Sequence, residues 1–306
     1  MIMTEEQKNH YFDWAATSPS DEQILKEAFD ETINLWGNPS SLHSLGKEAK
    51  KKLEEAREIC AKALNLPAEK LYFTSGGTES DHIPILSVLN KPQKGTVLFS
   101  SIEHPAIREE IKLLEKCGWK VVSIPANKNG IITPEAVISK LTPDTVLVCI
   151  MAVNNETGAI QPIYEIADAI TQACQNQRRP KLHVDCVQAA GKIPLNISYK
   201  GIDSAAFSAH KICGPRGIGI LYLADKMESF LRGGGQEQNI RSDLCSGVFL
   251  KCCVGQSDRT QKLCSLGKVF SDLRTFLVHR SLAGNKGNHT AGANLIQGLC
   301  KEIVMD

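Results

Sequence analysis

From Leu71 onward the chain alternates short apolar runs with stretches of amphipathic helical spacing, and this rhythm restricts the fold more than any other feature. Leu71 to Thr74 reads as a strand followed by a glycine turn and a helix. Val97 to Ser100 is a second strand, with a helix carrying Ile107, Ile111 and Leu114 behind it. Val121 to Pro125, Thr145 to Val153 and Leu182 to Val187 repeat the strand pattern, separated by helices near Pro134 to Leu141 and Ile163 to Cys174. Strands that are apolar throughout have to be buried on both faces, so the spacing predicts an α/β fold: a mostly parallel sheet flanked by helices. Ligands of such sheets bind beyond the carboxyl ends of strands. The chemically suggestive residues of this chain fall just after the apolar runs.

Two helices precede the sheet. Ser20 is placed to cap a helix that begins at Asp21, with Gln23 as its capping-box partner and Gly37-Asn38-Pro39 as its stop. After Ser41, Ala49, Leu53, Ala56, Cys60 and Ala63 recur at intervals of three and four, while Lys50, Lys51, Lys52, Glu54 and Glu55 form a solvated face.

Composition narrows the partners. At 306 residues and 42% hydrophobic, the chain can bury one large domain and a smaller one. Lys and Arg total 35 against 34 Asp and Glu, a formal charge of +1, so no global field recruits nucleic acid or anionic lipid. The longest apolar run, Val146 to Val153, falls far short of the roughly 18 residues of a membrane span. Met1 to Trp14 carries Glu5, Glu6, Lys8 and His10 and does not read as a secretory leader, which gives an expectation of a cytoplasmic protein. The eleven cysteines are then expected as thiols, and with no CxxC pair no metal site is expected.

Several motifs sit at strand ends. In Ser75-Gly76-Gly77-Thr78-Glu79-Ser80 the glycines admit a ligand close to the backbone, and a helix N-terminus with the Thr78 hydroxyl offers donors to a phosphate. Taken alone, a plain βα turn explains it nearly as well. His104 in Glu103-His104-Pro105 could lie flat on an aromatic ring, or be an ordinary loop histidine. Asn154-Asn155 could hold a phenolate or a carboxylate, or stabilise a turn. In His183-Val184-Asp185-Cys186-Val187-Gln188, strand alternation puts His183 and Asp185 on one face and Cys186 on the other, which argues against a metal cluster. Asp185, within an apolar strand, needs a cationic partner such as a protonated pyridine nitrogen. In Ser208-Ala209-His210-Lys211-Ile212-Cys213-Gly214-Pro215, a lysine near a cofactor and other cations gains a lowered pKa and reacts with aldehydes.

The order of these motifs carries more than any one of them. With Tyr11-Phe12-Asp13 to Thr17 and Gly37-Asn38-Pro39-Ser40-Ser41 added, residues 11 to 242 resemble the class V aminotransferase family of pyridoxal-phosphate (PLP) enzymes, and within it the cysteine desulfurases. The resemblance implies the fold-type I PLP architecture and a homodimer with sites at the subunit interface. It implies that Lys211 forms a Schiff base with the cofactor, Asp185 pairs with the pyridinium nitrogen, Gln188 bonds the phenolic oxygen and His104 stacks on the ring. Gly77, Thr78, Ser208 and His210 would hold the phosphate, Asn38 would bind the substrate, Asn155 would lie between cofactor and substrate carboxylate, and Lys211 and His104 would be the catalytic residues. The family reaction takes L-cysteine to L-alanine and an enzyme persulfide, which passes sulfur to an acceptor or an iron–sulfur scaffold protein. Nucleic acid would enter only indirectly, through thiolation of transfer RNA. Selenocysteine lyase, an aminotransferase, or an inactive PLP-binding remnant are the alternatives.

Three segments follow: an N-terminal stretch 1–20, a PLP-binding domain 21–242, and residues 243–306. The family pattern breaks at Asp243-Leu244, and the last 64 residues hold five cysteines (Cys245, Cys252, Cys253, Cys264, Cys300) against six before them. The expectation is that the small C-terminal domain is missing or replaced, as by a shifted reading frame, with a divergent small domain as the alternative, that none of these thiols is the nucleophile, and that turnover is very low.

Overall fold

The computed structural model describes residues 10–231 and 233–241. All of 243–306, with its five cysteines and the expected departure from the family, lies outside the described residues. So does Ser242.

Helices α1 (Glu22–Asn34) and α2 (Ser44–Leu64) come first. Then strand and helix alternate through β1 (Leu71–Thr74), α3 (Gly77–Leu86), β2 (Thr96–Ser100), α4 (Pro105–Lys116) and β3 (Lys120–Ile124). The order continues with α5 (Pro134–Ile138), β4 (Thr145–Met151), α6 (Ile163–Ala173) and β5 (Lys181–Asp185). Two further strands, β6 (Ser204–Ser208) and β7 (Gly219–Leu223), are not marked by the apolar pattern. The seven strands form one sheet in the order β1-β7-β6-β5-β4-β2-β3. Only β7 runs against its neighbours, so the sheet is mostly parallel as expected. The carboxyl ends of β1, β2, β4, β5 and β6 therefore share one edge.

Alternation along each strand feeds two cores. Leu98, Val148, Ile150, Leu182 and Val184 join Ile163, Ile166, Ala167 and Ile170 of α6 and Ala56 and Cys60 of α2 on one face. Val97, Leu147 and Cys149 meet Ile107, Ile111 and Leu114 of α4 on the other. Each such aliphatic side chain taken from water contributes about 1.5–3 kcal/mol.

The first helix departs from expectation at its start. Asp21 is the N-cap, its carboxylate accepting from the Ile24 amide at 3.1 Å, and Gln23 pairs with Glu27. Ser20 instead donates to the Gly214 carbonyl at 3.0 Å. Tertiary bonding overrides a local cap here because residues 15–21 lie on the loop that follows β6. At the far edge, buried Arg57 donates to Glu237, whose carboxylate also accepts from the Phe73 amide at 2.8 Å. That bond pins a left-handed turn at Glu237–Asn239 against β1.

Candidate active site

Thr74 and Ser208 both pair with Gly219, so the turns after β1 and β6 lie side by side. A Cβ on Gly219 would stand 2.5 Å from the Gly76 carbonyl carbon, and one on Gly77 would stand 2.6 Å from Val187 Cγ2. Only glycine lets these backbones approach so closely. The result is a cleft of about 500 Å³ at the start of α3, lined by Thr17, Ser75, Thr78, Ser208, His210 and Arg216, by Gly76, Gly77 and Gly217, and by Glu79, whose carboxylate is taken up by the Ser75 amide and Arg241. Hydroxyls, an imidazole, a guanidinium and helix N–H groups form a donor set that fits a phosphate. Gly77, Thr78, Ser208 and His210 line this one cleft together.

Lys211 follows β6 on a short turn, beneath the N-terminal segment. Ser18 Oγ donates to the His210 carbonyl at 2.9 Å and accepts from the Cys213 amide at 2.6 Å. The Lys211 ammonium donates to the carbonyls of Ala15 and Ala16, at 2.7 Å each. Burial lowers its pKa, against the opposing pull of Asp185 and Asp13. Gln188 donates from Nε2 to the same Ala15 carbonyl at 2.8 Å. His210 Nδ1 lies 3.1 Å from the Thr17 hydroxyl.

Behind the lysine is a buried polar layer. Asp185 accepts from the Val187 amide at 2.8 Å, and among the described residues no cationic side chain forms an ion pair with it. Burial, then the charge of Asp81, pushes its pKa up to about 8. Two residues earlier on the same face, His183 lies 3.0 Å from Asp81 through Nε2 and 2.8 Å from Ser204 Oγ through Nδ1. Burial drives His183 down to about 4, so it is neutral. Glu103 accepts from the Met151 amide at 2.7 Å and from Ser100 Oγ, while its Oε2 is buried with no hydrogen-bond partner. Burial takes its pKa to about 8 as well. Three carboxyls in one dry layer resist simultaneous ionisation.

His104 is the N-cap of α4, with Nδ1 accepting from the Ala106 amide at 3.1 Å. Because Nδ1 is the acceptor, the ring proton lies on Nε2, and burial followed by the charge of Lys211 lowers the pKa. The two asparagine motifs divide differently. Asn154 is the turn former, its Oδ1 accepting from Glu156 and Thr157. Asn155 donates to Glu156 at 2.7 Å, and exposed Asn38 accepts from the Ser40 amide at 2.8 Å. Asn38, His104, Asn155, Asp185, Gln188 and Lys211 are all outside the set of residues that line the cleft. Thr17 and Arg216 belong to suggestive stretches, but the sequence gives them no role. Asp81 and Glu103 go unmarked in the sequence. Asp81 is flanked by the polar residues Ser80 and His82, so its local sequence carries no signal of burial.

The family model described as aminotransferase class-V matches residues 10–247. The cysteine desulfurase IscS of Dictyoglomus turgidum is 37% identical over 236 residues, which are 76% of this chain and 59% of that protein. The chain thus spans less than two thirds of that relative's length. A protein of Bacillus subtilis strain 168, named as a proposed cysteine desulfurase IscS 1, is 36% identical over 289 residues, 90% of this chain and 75% of its own length. A solved structure described as SspA in complex with cysteine superposes with a TM-score of 0.74 at 30% identity, covering 81% of this chain and 72% of that one. With the family model matching most of its length and these relatives alongside, the chain belongs to the class V aminotransferase family.

Proposed function

We propose that this chain is a PLP-dependent cysteine desulfurase, converting L-cysteine to L-alanine and handing on the sulfur. The observation that carries the proposal is the meeting of one lysine, one unneutralised buried carboxyl and one anion cleft at adjacent strand ends. When bound, PLP supplies an aldehyde that condenses with amines and a ring that accepts electrons. The cleft around Thr78, Ser208 and His210 would hold its phosphate. Asp185 would keep a proton on the ring nitrogen, because a cation there is what makes its ionised form tolerable. His104 would present a neutral ring face, and Gln188 an N–H donor for the phenolic oxygen. Lys211 has to release the Ala15 and Ala16 carbonyls to react, and its lowered pKa favours the unprotonated amine that attacks aldehydes. Asn38 and Asn155 would bind the substrate carboxylate from outside the cleft.

Desulfuration also needs an enzyme thiolate to take the sulfur as a persulfide. Cys60, Cys149, Cys174 and Cys186 are buried, Cys117 is exposed at the end of α4, and burial pushes the half-buried Cys213 thiol up. None of these six is assigned the role, and the expectation of low turnover stands with the proposal. A cytoplasmic homodimer serving a sulfur acceptor or an iron–sulfur scaffold completes it.

The test is the purified protein with PLP, L-cysteine and a dithiol, which reduces the persulfide and releases its outer sulfur as sulfide. A yellow protein that loses its visible band in Lys211→Ala, with alanine and sulfide released in equal amounts, supports the reading. Colourless protein overturns it. A keto acid product would indicate an aminotransferase instead, and a demand for selenocysteine a lyase.

A further inference from the structure

Lys192 has no role in the arrangement above, yet it lies within the same shell. It belongs to the turns that follow β5, four residues after Gln188, and its Nζ donates to Gln188 Oε1 at 2.6 Å. An ammonium has three donors and no acceptor, whereas a carboxamide has one of each kind at its two ends. The lysine therefore fixes which end of Gln188 faces it. With Oε1 held by Lys192, Nε2 is turned the other way, and it meets the Ala15 carbonyl at 2.8 Å. That same carbonyl takes the ammonium of Lys211 at 2.7 Å. A flipped amide would set its N–H group against a cation and its oxygen against a carbonyl, losing both hydrogen bonds at once.

We infer that Lys192 is a positioning residue, which holds the Gln188 carboxamide so that its N–H donors face the Ala15 carbonyl that Lys211 also meets, and any acceptor oxygen that takes that carbonyl's place. The inference rests on the PLP reading, in which that acceptor is the phenolic oxygen. Lys192 is partly buried near Lys211 and Cys213, and burial followed by the Lys211 charge lowers its pKa to about 8. The grip on Gln188 is thus firmest below that pH and slackens above it.

The test compares PLP affinity and the pH titration of the visible band in four proteins: wild type, Lys192→Met, Gln188→Ala and the double variant. Lys192→Met is expected to weaken PLP binding by at least about tenfold, the loss typical of a hydrogen bond to a charged group. It should shift the midpoint of the band's pH titration in the same direction as Gln188→Ala. The double variant should be no weaker than Gln188→Ala by more than about twofold, as for two residues acting through one bond. Lys192→Arg, which keeps a cationic donor, should recover most of the affinity. Unchanged binding in Lys192→Met, or losses that add in the double variant, would overturn the inference while leaving the cofactor reading intact. A wild type that stays colourless would overturn the cofactor reading, and this inference with it.

Discussion

Strand β5 has two faces that do opposite things. Leu182 and Val184 are fully buried in an entirely apolar cluster with α2 and α6. His183 and Asp185, interleaved with them, face α3 and share a dry layer with Asp81 and Glu103. The first face stabilises the fold by removing apolar surface from water. The second works against the fold, since it holds carboxyls that cannot all ionise and an imidazole that cannot take a proton. A layer that costs stability and sits beneath a lysine and an anion cleft makes sense as a site awaiting a cation. The contrast teaches where to separate stability from function in this sheet.

The largest expected effect lies on the apolar face. Leu182→Ala should destabilise the protein by about 2–5 kcal/mol. The loss, read by urea unfolding, should be the same at pH 6 and pH 8, and a loss that varied with pH would blur the distinction between the faces. Next comes Asp185→Asn on the polar face. Because the folded pKa of Asp185 is raised from 3.8 to about 8, its contribution to stability is fully present below the unfolded value and is lost as pH rises toward 8. Cofactor-free protein should accordingly grow less stable between pH 5 and pH 8. Asp185→Asn should flatten part of that slope, gain on the order of 2 kcal/mol at pH 8, and bind PLP poorly. Glu103 would keep the remainder of the slope. The smallest effect is remote from both faces: Asp21→Ala removes the cap of α1 and should cost about 1 kcal/mol, with PLP binding unchanged.

Much of this was legible in the sequence because the apolar strands and their terminal motifs are local signals. The strands β1 to β5 follow from short-range patterns, whereas Gly77-Thr78, Ser208, His210 and Lys211 stand out only through the order of the motifs along the chain. What escaped depends on distant partners. β6 reads poorly since Ser204-Ala205-Ala206-Phe207-Ser208 is built of small residues with a hydroxyl at each end, and its strand character comes from antiparallel pairing with Gly219–Leu223. Ser20 lost the cap of α1 to Asp21 because a carbonyl far along the chain, that of Gly214, offered a better bond. Asp81 and Glu103 look like ordinary helix and loop acids until the fold buries them against β4 and β5. Lys192 looks like a surface lysine until Gln188 is found beneath it.

The most direct test of the account is to incubate the protein with PLP, reduce with borohydride, and map the modified peptide by mass spectrometry. The account predicts a single phosphopyridoxyl group on Lys211, absent from Lys211→Ala and much diminished in Asp185→Asn. A modification spread over surface lysines, or one centred on Lys192, would contradict it.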